Sequence, residues 1–237
     1  MSKTFLCSDH HIGHSNICKF MGRDGITKLR PWDDALEMSE DLITNHNAVV
    51  APEDRVYFLG DVAINRKFLP WISRFNGRKK LIRGNHDIFK TSEYIPYFDE
   101  ILGSHKLGNF LLTHIPVHPD SLRGMINIHG HLHDRSVLGS DGLPDLRYRS
   151  ACLEHTNYAP VELSSLSQEY PVSREAMMSY ISLQSDPEAR MILVEASQMK
   201  ASLEDKVTHV WKKVGPEPFA SFEAVSLFLK ALMKNHA

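Results

Sequence analysis

Five polar clusters carry the donor atoms that a divalent metal site needs. They read Asp9-His10-His11, Gly60-Asp61, Gly84-Asn85-His86-Asp87, His114 and Gly130-His131-Leu132-His133. Carboxylates and imidazoles without a cysteine pair suit hard or borderline ions and exclude a cysteine-type structural zinc site. A carboxylate can bridge two such ions about 3.5–4 Å apart, and ions so placed clamp a phosphoryl group and acidify a shared water. Two divalent ions bring four positive charges, of which Asp9 and Asp61 return two, so the remainder attracts a phosphate. Asp, Asn and Gly are ordinary turn formers, but histidine has no such preference, and turn formation alone does not explain His-x-His after an apolar run.

Residues so far apart in sequence must be brought together by the fold. Short apolar runs rich in β-formers precede each cluster: Thr4 to Cys7, Arg55 to Leu59, Lys80 to Ile82, Phe110 to Leu112 and Met125 to Ile128. The clusters therefore sit past the C-terminal ends of strands, the edge at which α/β sheets bind ligands. A helix is expected over Trp32 to Val50, with Trp32, Leu36, Ser39, Leu42, Ile43, His46 and Val50 on one face and Pro31 and Asp33-Asp34 at its start. A second, bent at Pro70, is expected over Asn65 to Phe75, and the alternation predicts an α/β layered domain. From about Ser167 the texture turns helical, with one apolar series from Ile192 to Trp211 and another from Phe219 to Leu232 after Gly215-Pro216-Glu217-Pro218. The division expected is residues 1–166 for the metal-binding domain and 167–237 for a helical extension.

The 237 residues carry a formal net charge of −2, which gives no general pull toward nucleic acid or membrane. Arg78-Lys79-Lys80 is a local basic patch, read as a solvated turn before a strand. Cys7, Cys18 and Cys152 are too few and too scattered for a disulfide framework, which suggests a reducing compartment. With no signal segment and no run of about 18 apolar residues, the expected location is cytoplasmic. Nine of the 14 histidines fall at positions 10, 11, 14, 86, 114, 118, 129, 131 and 133.

In that order and spacing the five clusters resemble the calcineurin-like metallophosphoesterase superfamily, over roughly residues 3 to 165, and His14 and Asn16 resemble a small bacterial and phage-type branch of it. The resemblance implies a four-layer α-β-β-α sandwich with two mixed sheets. It implies that Asp9, His11 and His133 hold one ion, Asn85, His114 and His131 another, and that Asp61 bridges them. His86 would protonate the leaving oxygen or stabilise the transition state, and Arg83 would add a guanidinium. Many members carry an aspartate three residues after the bridging one, where this chain has Ile64, so Asp87 or Asn65 is the substitute expected to orient His86. His14 and Asn16 are substrate-contact candidates on the first loop, whereas His10 and His129 read as structural.

The reaction expected is hydrolysis of a phosphoester, a nucleotide-like phosphodiester first, by metal-activated water. Phosphomonoesterase or nuclease action at the same centre, and a non-catalytic scaffold for protein partners, are the competing readings. Asp9-His10-His11 also matches the DHH phosphoesterases, but the later clusters fit the calcineurin-like pattern better. Two divalent ions are the implied cofactors, manganese first, with iron, zinc, magnesium or nickel as alternatives. The expected partner is a phosphorylated small molecule or nucleotide; nucleic acid is not indicated by charge, and neither a membrane nor an oligomeric state is.

Overall fold

The computed structural model describes residues 2–22, 25–139, 144–168, 191–192, 195–196, 199 and 203–214. Strands β1 (Thr4–Cys7), β2 (Arg55–Phe58) and β3 (Arg78–Ile82) run parallel and in order. β4 (Glu100–Leu102) extends them in parallel beside β3, and β9 (Val161–Glu162) closes the other edge antiparallel to β1. A second mixed sheet pairs β5 (His105–Leu107) antiparallel to β6 (Phe110–Leu112), with β7 (Ile126–His129) and β8 (Tyr148–Ser150) parallel beyond it.

The alternation of side chains along these strands builds the layers. Leu6, Tyr57, Leu59 and Ile82 turn one way and pack on Leu112 and Ile128 of the second sheet and on Ala151 just past β8. Phe5, Cys7, Val56 and Phe58 turn the other way, onto Met38, Leu42 and Ile43 of a helix and Phe68, Leu69 and Ile72 of a 3₁₀ segment. A strand buried on both faces reads as an unbroken apolar run, which is why β1 and β2 were legible. Each such fully buried aliphatic side chain contributes about 1.5–3 kcal/mol. The architecture is the α/β sandwich with two mixed sheets that the motifs imply.

Helix α1 (Ala35–Val49) starts where Asp34 accepts hydrogen bonds from the backbone N–H groups of Leu36 and Glu37 (2.8 and 2.9 Å). That start sets the phase of its buried stripe at Ala35, Met38, Ser39, Leu42, Ile43 and His46. Leu36 falls one residue off the stripe and is 49% exposed, contrary to its expected place on the apolar face. The helix expected around Pro70 is a 3₁₀ segment, Arg66–Arg74, because a proline in its middle can donate no hydrogen bond to an α-helical ladder. Arg78, Lys79 and Lys80 are not a turn: they open β3, where the Lys79 ammonium caps the carbonyls of Phe75 and Gly77 (2.8 and 3.2 Å) and Lys80 pairs with Glu100 (2.7 Å).

The chain divides into two compact units. The first, Met1–Leu122, Ile126–Ser136 and Tyr148–Leu166, holds both sheets. The second comprises Arg123–Met125, Val137–Arg147 and Ser167–Ala237, and its described residues include the helix Leu203–Val214. The apolar series from Phe219 to Leu232 lies outside the described residues. Among the described residues no helix is long and apolar enough to cross a membrane.

Candidate metal centre

Parallel strands deliver their C-terminal ends to one edge, and here the loops beyond that edge are fastened to each other. The backbone N–H groups of Asp9, His11 and Ile12 donate to the carbonyls of Gly60, Asp61 and Val62 (3.0, 3.0 and 2.9 Å), and Gly130 donates to His114 (2.9 Å). Asp9, His11, Asp61, His131 and His133 all have positive φ, between 50° and 71°. For a non-glycine residue that conformation costs about 1–2 kcal/mol, and such strain persists where the surroundings enforce it, commonly at functional sites. The approach is close enough that a Cβ on Gly84 would stand 2.1 Å from Asp61 Oδ1, and one on Gly130 would stand 1.9 Å from Ser8 Oγ.

The donors converge as two groups. Asp9, His11 and His133 form one, and Asp61, His114 and His131 the other, with the donor atoms of each within 4.8 Å of one another. His11 Nε2 and His133 Nε2 stand 3.7 and 3.9 Å from Asp9 Oδ1, too far for hydrogen bonds. Separations of this order suit donors each about 2.0–2.2 Å from a shared cation. Asp61 Oδ2 faces both groups, 3.8 Å from His11 Nε2 and 3.4 Å from His114 Nε2. Asn85 Oδ1 lies 2.8 Å from His114 Nε2 and 2.9 Å from His131 Nδ1.

The hydrogen bonds around these donors leave the right atoms free. Asp9 Oδ2 accepts from Ser8 Oγ (2.6 Å), the His131 N–H (2.8 Å) and Cys152 Sγ (3.3 Å), whereas Asp9 Oδ1 is buried without a partner. The Leu59 carbonyl, 2.7 Å from His114 Nδ1, can only accept, so Nδ1 carries a proton. Burial lowers this imidazole, but Asp61 and Asp9 outweigh it and raise it overall, and a cation at Nε2, which faces Asp61 and Asn85, would displace a proton there. Burial alone would raise the Asp9 carboxyl, but the imidazoles of His11, His133 and His114 hold it below the usual carboxylate range. Burial likewise opposes ionisation of Asp61, which His114 and the His86 N–H outweigh. Burial also pushes His11 and His131 down, toward the neutral form that binds metal.

The model of the calcineurin-like phosphoesterase family matches residues 2–191. The chain belongs to that family. A curated protein of Methanocaldococcus jannaschii, itself uncharacterized, is 34% identical over 177 residues, covering 69% of this chain and 88% of its own length. The gene 66 protein of Mycobacterium phage L5 is 38% identical over 92 residues, covering 37% of this chain and 41% of its own. The crystal structure of a protein of unknown function from Aquifex aeolicus shares the fold, with a TM-score of 0.51 and 24% identity over 71% of this chain and 99% of that one. Membership makes the reaction class of this calcineurin-like phosphoesterase the hydrolysis of phosphoesters, and divalent metals are the family's cofactors.

Beside the donor groups, His86 is exposed; its backbone N–H donates to Asp61 Oδ1 (2.9 Å) and its ring centroid lies 5.7 Å from that of His11. His14 is equally close to His11, at 5.7 Å, and Asn16 follows it on the same loop. Asp87 and Arg83 lie behind these residues. The buried Asp87 carboxylate accepts the N–H groups of Asp61, Val62 and Gly84 (2.8, 3.2 and 2.9 Å), and burial pushes its pKa up to about 6. Asn65 Oδ1 accepts from Lys67 N (3.2 Å), so neither expected substitute holds the His86 ring. The Arg83 guanidinium donates to the carbonyls of Asp87 and Phe89 and lies 5.5 Å from the Tyr94 ring centre. Backbone carbonyls within reach of a guanidinium satisfy it locally, and this one braces the loop carrying Asn85 and His86. His10 is buried against Phe58 and Phe75, and His129 Nδ1 bonds its neighbour Gly130 O (2.8 Å).

Sequence reasoning missed Glu154 and Arg30. Glu154 Oε1 accepts from His133 Nδ1 (2.9 Å), which leaves His133 Nε2 free to face Asp9. The fully buried Arg30 pairs with the same carboxylate (2.8 Å) and donates to the carbonyls of Asp9 and His10. Burial lowers His133, but Glu154 outweighs it and raises the imidazole overall. The missing signal was β8, whose Tyr-Arg-Ser sequence does not read as a buried strand, yet whose continuation carries Glu154 to this edge. Carboxylate partners of ligating histidines commonly contribute 10–100-fold in metal affinity. Glu154→Gln is expected to weaken one metal-binding step by about that factor and spare the other, as read by calorimetric titration of metal-free protein; two unchanged steps would contradict it.

Proposed function

We propose that this calcineurin-like phosphoesterase holds two divalent ions, one on Asp9, His11 and His133 and one on Asn85, His114 and His131, with Asp61 shared between them. The reaction is hydrolysis of a nucleotide-like phosphodiester. The observation that carries this reading is the Asp61 carboxylate facing both donor groups within 3.8 Å, beside a buried Asp9 Oδ1 and a buried His11 Nε2 that have no other partner. A buried acceptor without a partner costs about 1–3 kcal/mol, a penalty that a cation would remove. The mixed carboxylate, amide and imidazole set suits manganese first, and iron, zinc, magnesium or nickel after it.

Such ions would supply Lewis acidity to the phosphoryl oxygens and acidify a water molecule. The chain's own residues do the rest. Asp9 and Asp61 supply two negative charges, too few to neutralise the cations, so a phosphate is attracted. His86, exposed beside the donors but in neither group, supplies a proton to the leaving ester oxygen from its ring. Arg83 and Asp87 hold the turn from Gly84 to Phe89 against the loop of Asp61. Residues 1–166 carry all the catalytic groups, with Arg123–Met125 and Val137–Arg147 of that span belonging to the second compact unit, and 167–237 are the appended segment.

The test compares bis(p-nitrophenyl) phosphate with p-nitrophenyl phosphate, using protein loaded with manganese, zinc or magnesium. The diester is expected to turn over faster, and with manganese best. Preference for the monoester would make the protein a phosphatase, and metal-loaded protein inert toward both would favour the scaffold reading.

A further inference from the structure

We propose that two grooves beside the metal centre are the two arms of a cleft for a single-stranded oligonucleotide, one arm for each ester substituent of the scissile phosphate; the inference rests on the phosphodiesterase reading above. The first groove, about 520 Å³, runs past His14 and Asn16 on the loop after β1, Asn65 and Arg66 beyond β2, and Phe89 beyond β3. The second, about 460 Å³, is walled by His131 and His133 themselves, together with Phe20, Met21, Asp134 and Arg135. No residue lines both. Each nevertheless adjoins the donors: two of them form a wall of the second groove, and His14 in the first stands 5.7 Å from His11, ring to ring. A phosphomonoester has one substituent to accommodate, whereas a diester has two.

Both grooves offer a flat stacking surface and a guanidinium. In the first, Glu93 holds Arg66 (2.6 Å), and its guanidinium lies 4.9 Å over the half-buried Phe89 ring, so the exposed plane there is the guanidinium backed by Phe89. In the second, Phe20 and Met21 are 48% and 49% exposed, on a loop tied by a bridge from Met21 to Lys28 and by Gly22 N–H donating to the Thr27 carbonyl (2.7 Å). Arg135 is exposed beside them. Exposed apolar groups at the wall of a phosphate-attracting site are suited to flat bases, which stack on aromatic side chains and guanidinium planes without regard to sequence. Guanidinium groups also take phosphate oxygens in paired hydrogen bonds, and a chain with phosphates on either side of the scissile one would use both arginines. Because the net charge is −2, affinity would come from these local groups and not from a long-range field.

The test uses full-length, manganese-loaded protein, a fluorescein-labelled thymidine trinucleotide with phosphorothioate linkages for binding, and the unmodified trinucleotide for turnover. Phe20→Ala with Arg135→Ala, and separately Arg66→Ala with Phe89→Ala, are each expected to weaken binding about tenfold or more, the order expected for one lost stacking contact. Each is also expected to lower, by a similar factor, the ratio of kcat/KM for the trinucleotide to that for bis(p-nitrophenyl) phosphate. Phe20→Tyr, which keeps the ring face, should retain binding; its loss would point to a disturbed loop and overturn the stacking role. An effect from only one pair of substitutions, or equal losses on both substrates, would overturn the two-armed cleft. If wild-type protein hydrolyses neither ester but binds the labelled trinucleotide through both pairs, the cleft stands and the hydrolytic reading falls. If it hydrolyses bis(p-nitrophenyl) phosphate but binds the trinucleotide no better than inorganic phosphate, the reverse holds.

Discussion

Asp61→Asn is expected to bring metal content from two ions per chain to less than one and to reduce phosphodiester turnover by about 10³-fold or more, the scale of a Lewis-acid contribution of several kcal/mol. The substitution keeps size and an oxygen that can accept the His86 N–H, so the loop geometry has no reason to change. What disappears is the negative charge facing both donor groups. Thermal unfolding separates this from a folding defect. Wild-type protein should gain about 2.7 kcal/mol of stability for each ion when free metal is raised to 100 times the dissociation constant, since the ions bind only the folded chain. The variant should gain little. Without metal it should be somewhat less stable than the wild type at neutral pH, because burial and the Asp9 carboxylate are outweighed by His114 and the His86 N–H, which favour an ionised Asp61 in the fold. A variant that still binds two ions and turns over normally would remove Asp61 from the shared position.

His86→Asn makes the opposite prediction for metal and a similar one for rate. The His86 ring is exposed and belongs to neither donor group, and only its backbone N–H touches Asp61. Metal content should therefore stay at the wild-type value while turnover falls about 10²–10⁴-fold, the contribution of a single acid–base group. Because the asparagine amide can still donate a hydrogen bond but cannot transfer a proton, KM should move less than kcat. Metal analysis and steady-state kinetics on the same preparation decide it. Loss of an ion would make His86 a ligand, and unchanged turnover would leave the proton donor elsewhere.

Where strands were buried on both faces, the sequence was readable. β1 and β6 were placed to the residue, and β2, β3 and β7 to within two, because apolar side chains on both faces leave a run that loops do not imitate. The donor clusters followed as the polar residues at the tips of those strands. β4, β5, β8 and β9 escaped because they are two or three residues long, and Glu100, Lys106, Arg149 and Glu162 break the apolar run. Glu154 was lost with β8. The partners of Arg83 and Asp87 could not be read either. Which atoms a guanidinium or carboxylate reaches depends on the path of one loop past another, here Gly84 against Asp61, and residue type carries no record of that approach. The phase of α1 was set by Asp34, an end signal that outweighed the apolar appearance of Leu36.

The most direct measurement is the number of ions bound. Protein stripped with chelator, equilibrated with manganese, freed of excess metal and assayed by elemental analysis should carry two ions per chain, with a low-temperature paramagnetic resonance spectrum showing that they are coupled. One ion per chain, or two that are magnetically independent, would contradict a centre joined through Asp61.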